Sequence, residues 1–223
     1  MKVVATERPN PLDPPAPEVQ DERTDELVLL STQRGLSQDV LSAARIDRES
    51  DGEHAGWWTI PYPHRLGEWK RRYRNPHPGG RPKYMDAPGA ETHLYNPGLL
   101  GPGEDEVWFC EGEFDTLAAI DQGYKAIGIH GVGNVPEEGQ ESKHFKKAWT
   151  VLFEDTLCVV AFDNDDAGRH AGRKLARGLE GVVFDKWHRD YNDLNEWHKA
   201  DPAGLGAAMA AFSLESRKVR GMA

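Results

Sequence analysis

From about residue 105 onward, short apolar runs alternate with segments long enough to be helices, and this alternation constrains the fold more than any other feature. EVWFCEG is typical of a buried strand, FDTLAAIDQGY of a short helix closed by Gly123, and AIGIHG of a second strand. ESKHFKKAWTVLFED favours a helix, LCVVAFD a third strand, DAGRHAGRKLARGLEG a helix stopped by Gly181, VVFDKW a fourth strand and YNDLNEWHKADP a short helix. Strands joined through helices form a mainly parallel sheet, so we expect an α/β fold with helices flanking the sheet.

Acidic residues follow three of these predicted strands at the point where each strand ends. Glu111 ends the first strand, Asp163 ends the third with Asp165 in the next turn, and Asp190 lies just past the fourth. Because ligands bind at the carboxyl ends of parallel strands, we expect these four side chains at one edge of the sheet. Such a cluster is stable when ionised only beside cations, and carboxylate oxygens suit Mg²⁺. Two further acidic residues follow the same strands: Asp115 and Asp193.

Two other interpretations of the Asp-rich stretch compete with a metal site. An isolated Asp-x-Asp is more often a solvated turn or a helix cap than a metal ligand. An EF-hand loop shares Asp163, Asp165 and Gly168 in the right places, but Ala167 and Lys174 stand where that loop needs an oxygen ligand and a glutamate. Agreement among three strand ends favours the metal site.

Composition limits the classes of protein to which the chain can belong. There is no apolar run long enough to cross a membrane and no apolar N-terminal signal, so we expect a cytoplasmic protein with no membrane partner. The two cysteines, Cys110 and Cys158, lie in apolar strands and are too few for a disulfide framework or a four-cysteine zinc site. Residues 1–25, with five prolines between positions 9 and 17 followed by an acidic stretch, predict a disordered tail.

The segment before the predicted sheet reads as a small basic α+β subdomain, residues 26–103. TDELVLLSTQRGLSQDVLSAARI predicts a strand or short helix and then a helix capped by Ser37, and residues 56–74 predict a β-hairpin or meander broken by Pro61 and Pro63. Residues 64–83 hold seven Lys or Arg and one Glu, whereas the whole chain has a net charge of −10. We expect this block to contact nucleotide and single-stranded nucleic acid, through Lys70, Arg71, Arg72, Arg74, Arg81 and Lys83.

Aromatic residues in and beside the basic block allow two interpretations. Trp57, Trp58, Trp69 and Tyr73 could stack on bases, or they could form the core of the small subdomain. For the tryptophans, a role in the core is the favoured hypothesis.

Three stretches, CEGEFD, DNDDAG and RDYND, resemble the signature motifs of the TOPRIM domain. The resemblance implies that Glu111, Asp163, Asp165 and Asp190 bind catalytic Mg²⁺ (or Mn²⁺), with Asp115 and Asp193 as auxiliary acidic groups. RGLSQDVLSAARI and GRPKYMDAPGAETHLYN are similar to the catalytic RNA-polymerase region of bacterial and phage primases, and the similarity covers about residues 30–200. It implies a TOPRIM domain over 104–202, a C-terminal helix and tail over 203–223, and a catalytic role for Lys83 beside Glu111, Asp163 and Asp165.

The chain departs from that family in lacking the cysteines of a zinc ribbon and any helicase-like segment. The expectation is therefore an enzyme that uses ribonucleoside triphosphates and Mg²⁺, without zinc, to make short RNA primers on a single-stranded DNA template in a bacterial host cell. A separate zinc-ribbon protein, a replicative helicase or both would then act with it. The alternatives are a TOPRIM nuclease and a non-catalytic DNA-binding replication subunit. Whether Glu111 would be a metal ligand or a general base stays open.

Overall fold

The computed structural model describes residues 22–64, 67–73, 82–86, 94–96, 104–135, 153 and 155–222, except for the side chains of 22–24, 63–64 and 67–70. The proposed tail up to residue 21, nearly all of the helix expected over 141–155, the side chains of Lys70 and Trp69, and Arg74 and Arg81 therefore lie outside the described residues.

The N-terminal part consists of two helices and an antiparallel sheet. Helices α1 (Glu22–Arg34) and α2 (Gln38–Ala43) are followed by strands β1 (Asp47–Arg48), β2 (Trp58–His64), β3 (Gly67–Tyr73) and β4 (Tyr84–Met85), paired in the order β1-β2-β3-β4. The segment predicted as a strand or short helix is helical and begins at Glu22, inside the stretch expected to be tail. Ser37 caps α2 as predicted, because its hydroxyl accepts from the Val40 N–H.

The expected hairpin is present, but its prolines do not break it. Pro61 and Pro63 lie within β2 and pair with Lys70 and Glu68 of β3. Strand β1 pairs with Trp58 and Thr59, so within the described part of the chain the rest of β2 is an edge strand on that side. Proline is tolerated at an edge because its missing N–H removes no ladder hydrogen bond there.

The C-terminal part is a four-stranded parallel sheet with helices, as the alternating pattern predicts. Its strands pair in the order β6-β5-β7-β8, so the strand order reverses between the neighbouring strands β5 and β7. The elements are β5 (Glu106–Cys110), α3 (Glu113–Asp121), β6 (Ala126–Gly128), a 3₁₀ turn (Val132–Asn134), β7 (Leu157–Ala161), α4 (Asp166–Gly178), β8 (Val182–Val183), α5 (Leu194–Ala200) and α6 (Pro202–Arg220).

Helix α4 ends three residues before the glycine predicted to stop it. Leu179 is its C-cap, and Glu180 adopts a left-handed conformation with φ of 52°. Gly181 instead allows the chain to pass close to β7, because a Cβ there would lie 2.7 Å from the carbonyl oxygen of Cys158.

One apolar core joins the two sheets. Trp58, Ile60 and Tyr73 of the antiparallel sheet belong to the same buried cluster as Trp108 and Phe114, which come from β5 and α3. The rings of Tyr73 and Phe114 meet edge to face with centroids 4.8 Å apart. The antiparallel sheet is therefore fixed beside the carboxyl end of β5.

Two further expectations can be compared with the described residues. Cys110 and Cys158 are both buried free thiols. Across the described ranges, we find no helix with the length and hydropathy needed to cross a bilayer.

Candidate functional site

The turn after β7 places its acidic residues by specific backbone chemistry. Asp163 follows the strand, and Asp165 caps α4 by accepting a 2.7 Å hydrogen bond from the Gly168 N–H. A Cβ on Gly168 would lie 2.2 Å from the carbonyl oxygen of Asp163. Only glycine fits this approach, so the turn that presents Asp163 depends on Gly168.

A cleft of about 200 Å³ opens at this edge, between the parallel sheet and the antiparallel sheet. Its lining is strongly charged, with acidic groups from the ends of β5 and β7, the start of α3 and the start of α5 opposite basic groups from the N-terminal part. The acidic residues are Glu111, Glu113, Asp115, Asp163 and Asp193, and the basic ones are Arg34, Arg71 and Lys83.

The carboxylates in the cleft repel one another. Burial and the charge of Asp115 raise the pKa of Glu111 to about 7. Burial, with Glu111, Asp193 and Asp165, likewise raises the pKa of Asp163 to about 7. Asp115 is partly buried, and its pKa is raised by burial and by Asp193 and Asp163. Glu111 Oε2 is buried and has no hydrogen-bond partner in the described part of the chain.

These features fit a divalent cation, although the side chains do not form a complete cage. Among the described residues, no three His, Cys, Asp or Glu side chains are placed to hold a metal ion by themselves. Mg²⁺ commonly uses only one or two carboxylates and takes waters and substrate phosphates as its other ligands. A cation beside Glu111 and Asp163 would offset the repulsion between their carboxylates. Glu111 Oε2, which has no hydrogen-bond partner in the described residues, would then be a ligand of that cation.

The acidic residues predicted from sequence differ in their placement. Asp115 and Asp193, expected to be auxiliary, line the cleft with Glu111 and Asp163. Asp165 lies close enough to raise the pKa of both Glu111 and Asp163, but one of its oxygens caps α4. Asp190 does not line the cleft; it lies seven residues beyond β8, exposed, 3.6 Å from both His188 Nδ1 and Arg189 Nε. Its role as a metal ligand stays a prediction.

Of the basic residues predicted to bind nucleotide or template, Lys83 and Arg71 line the cleft. Burial and Arg34 lower the pKa of Lys83, while the carboxylates of Asp193, Asp115 and Asp163 act in the opposite direction. Arg71 donates to Glu113 Oε1 at 2.5 Å. Arg72 is not among the residues that line the cleft, and its Nε donates to Glu49 at 2.8 Å. Trp57, Trp58 and Tyr73 are buried, which agrees with the hypothesis that these aromatic residues form core.

Sequence reasoning missed Arg34, at the end of α1. Its guanidinium lies over the rings of both Phe114 and Tyr73, at 4.0 and 4.5 Å from their centroids, and one nitrogen donates to Asn195. Its Nε and Nη2 are buried with no hydrogen-bond partner in the described part of the chain. The feature of the sequence that could have indicated Arg34 is the glycine that follows it and ends the helix. Gly35 adopts φ of 70° and packs on Lys199.

Comparisons with known proteins agree with this architecture. A model of the Toprim-like family matches residues 108–199, which include every carboxylate of the cleft. The gene 57 protein of Mycobacterium phage D29 is 30% identical over 132 residues, which cover 56% of this chain and 80% of that protein.

Solved structures show the same fold at low sequence identity. The primase fragment of the bacteriophage T7 primase-helicase protein matches with a TM-score of 0.58 and 20% identity, over 78% of this chain and 70% of that one. The DnaG catalytic core matches with a TM-score of 0.58 and 15% identity, over 86% and 74%. T7 primase domains bound to an RNA/DNA hybrid and dTTP match with a TM-score of 0.59 and 19% identity, over 81% and 87%.

The family match spans the edge that carries the carboxylates, and the similarity to the T7 primase fragment extends beyond that match, over 78% of the chain. Together with the phage relative, the family match shows that the chain belongs to the TOPRIM family, and its fold is the one seen in solved primase cores.

Proposed function

We propose that this protein is a DNA primase that joins ribonucleotides into short RNA primers on a single-stranded DNA template, using Mg²⁺. The observation that carries the proposal is the two-sided cleft. Carboxylates from the ends of β5 and β7 face Arg34, Arg71 and Lys83 across a space of about 200 Å³. A nucleoside triphosphate needs both sides, because its phosphates are neutralised by cations and its metal ions by carboxylates.

In this proposal Glu111, Asp163, Asp165 and Asp190 hold Mg²⁺ (or Mn²⁺), and Asp115 and Asp193 add negative charge. The bound metal would neutralise the triphosphate and orient it for attack. The 3′-hydroxyl of the growing primer forms a new P–O bond to the α-phosphorus, the bond to the β-phosphate breaks, and pyrophosphate leaves. The hydroxyl proton passes to Glu111 if that residue is free to act as the general base, and to solvent if Glu111 is a ligand.

The chain's own cations would bind and orient the phosphates. Arg34 has two buried nitrogens without a hydrogen-bond partner in the described residues, and its guanidinium packs on two aromatic rings. The negative charges of Asp163 and Asp115 favour the charged form of Lys83. We expect Lys83→Ala to reduce nucleotide incorporation more than template affinity. Lys70, Arg72, Arg74 and Arg81 remain proposed contacts to the template strand.

Partners would supply what this chain's residues do not. The two cysteines are buried in separate strands, so they offer no zinc site for template selection. We propose that a separate zinc-ribbon protein, a replicative helicase or both act with this primase in the cytoplasm of a bacterial host cell.

Incubation of the purified protein with labelled ribonucleoside triphosphates, Mg²⁺ and single-stranded DNA tests the proposal. New RNA that depends on both template and metal supports a primase. Shortened DNA would show a nuclease, and unchanged DNA without RNA would show a DNA-binding subunit, if a zinc-ribbon partner or helicase does not restore synthesis. Either of these two results overturns the proposal.

A further inference from the structure

A buried network of polar side chains connects the antiparallel sheet to the carboxylate edge. At its centre is Glu113, the first residue of α3, whose side chain is 1% exposed. The hydroxyl of Tyr62 and the guanidinium of Arg71 both donate to the same oxygen, Glu113 Oε1. Tyr62 is itself fully buried, with its hydroxyl 2.9 Å from His130 Nδ1. Strands β2 and β3 are therefore both tied to the helix that follows the end of β5.

The network also reaches the backbone at Glu111. The His130 side chain is only 7% exposed, and the residue adopts a left-handed conformation with φ of 66°, which few non-glycine residues adopt. Its carbonyl accepts from Asn134, and the next residue, Gly131, donates to the Glu111 carbonyl at 2.9 Å. An energetically unfavourable backbone conformation that persists beside a functional cleft is a sign of a geometric requirement there.

The Arg71 guanidinium is restrained on several sides within the cleft. Nη1 is paired with Glu113, Nε lies 3.3 Å from Asp86 Oδ1, and Cζ lies over the Tyr84 ring, 4.3 Å from its centroid. Neither ion pair uses Nη2. Arginine with a fixed plane can offer a phosphate group two donors at once, which a mobile arginine does only at an entropic cost.

Stability alone does not account for a buried Arg–Glu pair at this place. Removing two charges from water costs about as much as their attraction returns, so such pairs are frequently neutral in stability when compared with apolar residues. The neighbouring residue on β3 provides a contrast. Arg72 is also paired with a glutamate, Glu49, but both side chains are 23% exposed and neither lines the cleft.

We infer that Glu113 and Tyr62 are positioning residues, which hold the Arg71 guanidinium in the cleft so that it meets the phosphates of a bound nucleoside triphosphate. Tyr62 fixes the Glu113 carboxylate, and Glu113 fixes Arg71. This inference rests on the proposed function, because it takes a triphosphate as the ligand of the cleft.

The variant that tests this is Tyr62→Phe, which removes one hydroxyl and leaves every charge of the cleft in place. We expect the Kd for ATP with Mg²⁺, measured without template, to rise about two- to tenfold, the cost of ordering one side chain that is no longer held. The same substitution in an Arg71→Ala background should add nothing. If Tyr62 had a purely structural role, Tyr62→Phe would lower the melting temperature equally in both backgrounds. Its effect on ATP affinity would then not depend on whether Arg71 is present.

Glu113→Gln gives a second test because electrostatics and positioning predict opposite signs. Removing a negative charge would strengthen triphosphate binding if charge alone mattered, whereas loss of positioning weakens it. The matched control is Glu49→Gln, which removes the carboxylate paired with Arg72 and should leave ATP affinity unchanged.

The outcomes separate this inference from the proposed function. Wild-type protein that makes primers and binds ATP, with Tyr62→Phe binding ATP equally well, overturns the positioning role and leaves the primase proposal standing. Tighter ATP binding by Glu113→Gln overturns it as well. Wild-type protein that neither binds ATP nor makes primers overturns both.

Discussion

The Asp163 carboxylate is repelled by neighbouring carboxylates and attracted by Lys83. Burial and the neighbouring carboxylates Glu111, Asp193 and Asp165 raise its pKa to about 7, and Lys83 acts in the opposite direction. Without a cation, ionisation of Asp163 is therefore unfavourable to the folded state. With a cation bound, the same charge becomes the attraction that holds the metal.

We expect Asp163→Asn to reduce primer synthesis by at least about a thousandfold, because a metal ion contributes several kcal/mol to stabilising transition-state charge. The folded structure should persist, and the melting temperature in metal-free buffer should rise, since one member of a repelling cluster loses its charge. Template-dependent incorporation and thermal unfolding measure the two effects. Asp166→Asn is the matched control, because Asp166 is fully exposed and its carboxylate pairs with Arg169. Primer synthesis retained by Asp163→Asn would remove Asp163 from the catalytic assignment.

The raised pKa values of Glu111 and Asp163 also predict how stability depends on pH without metal. Their ordinary values are 4.5 and 3.8, and both rise to about 7 in the folded protein. Between these limits the folded state binds more protons than the unfolded chain, so the free energy of unfolding should fall as the pH rises towards 7. Burial lowers the pKa of His130, so this residue acts in the opposite sense.

The measurement is chemical denaturation from pH 4 to pH 8 for wild type and Asp163→Asn, with and without Mg²⁺. The wild type should lose more stability than the variant as the pH rises, and Mg²⁺ should recover part of that loss above pH 7. Parallel stability curves for the two proteins would contradict the coupling among these carboxylates.

Residues at the ends of strands were predictable, and residues brought in from distant segments were not. Glu111 and Asp163 follow from the rule that strand ends meet at one edge. Arg34 and Asn195 are 161 positions apart in the chain and meet only because α1 packs beside the start of α5. Asp190 looked equivalent to the other strand-end carboxylates, but β8 ends at Val183 and leaves Asp190 on a loop, whereas Asp193 lines the cleft.

At the scale of elements, the β7–α4 turn carries the strictest packing requirement in the site. Gly168→Ala would place a methyl group 2.2 Å from the Asp163 carbonyl oxygen, so either the turn or the helix must move. We expect a loss of about 1–3 kcal/mol in stability, the usual cost of overpacking, together with a loss of primer synthesis as Asp163 moves. Denaturation and incorporation assays measure the two losses.

The same helix offers a control at its other end. Gly178 is the last residue of α4, and a Cβ there would meet nothing within 4 Å in the described structure. Gly178→Ala should leave synthesis unchanged and raise stability slightly, because alanine loses less conformational entropy in a helix than glycine. Wild-type stability and activity in Gly168→Ala would show that the turn tolerates a side chain.

The order and type of these elements were predictable because apolar periodicity is a local property of the sequence. The residues at which the helices and strands end were harder to predict. The stop of α4 depends on a left-handed Glu180 and on the close approach of Gly181 to β7, and neither leaves a signal in the periodicity. Pro61 and Pro63 suggested a break in β2 because the extent of β1, which makes this part of β2 an edge, cannot be read from β2 itself.

For the molecule as a whole, the core common to both sheets is what creates the cleft. The sequence predicted two subdomains, and packing of Trp58 and Tyr73 with Phe114 places the basic residues of one opposite the carboxylates of the other. This arrangement arises from contacts between segments far apart in the chain. It also places the acidic residues of a chain with a net charge of −10 next to the path proposed for an anionic template.

This charge distribution predicts an unusual effect of Mg²⁺ on DNA affinity. For most DNA-binding proteins, added Mg²⁺ weakens binding because cations compete with the protein for phosphates. Here, low millimolar Mg²⁺ at constant ionic strength should strengthen binding of single-stranded DNA, because it neutralises Glu111, Asp163 and their neighbours, which otherwise repel the strand. Fluorescence anisotropy of a labelled oligonucleotide measures the affinity. Asp163→Asn should bind DNA more tightly than wild type without metal and gain less from Mg²⁺, whereas Asp166→Asn should behave as wild type. If Mg²⁺ weakens DNA binding equally in all three proteins, the template does not pass beside the carboxylate edge.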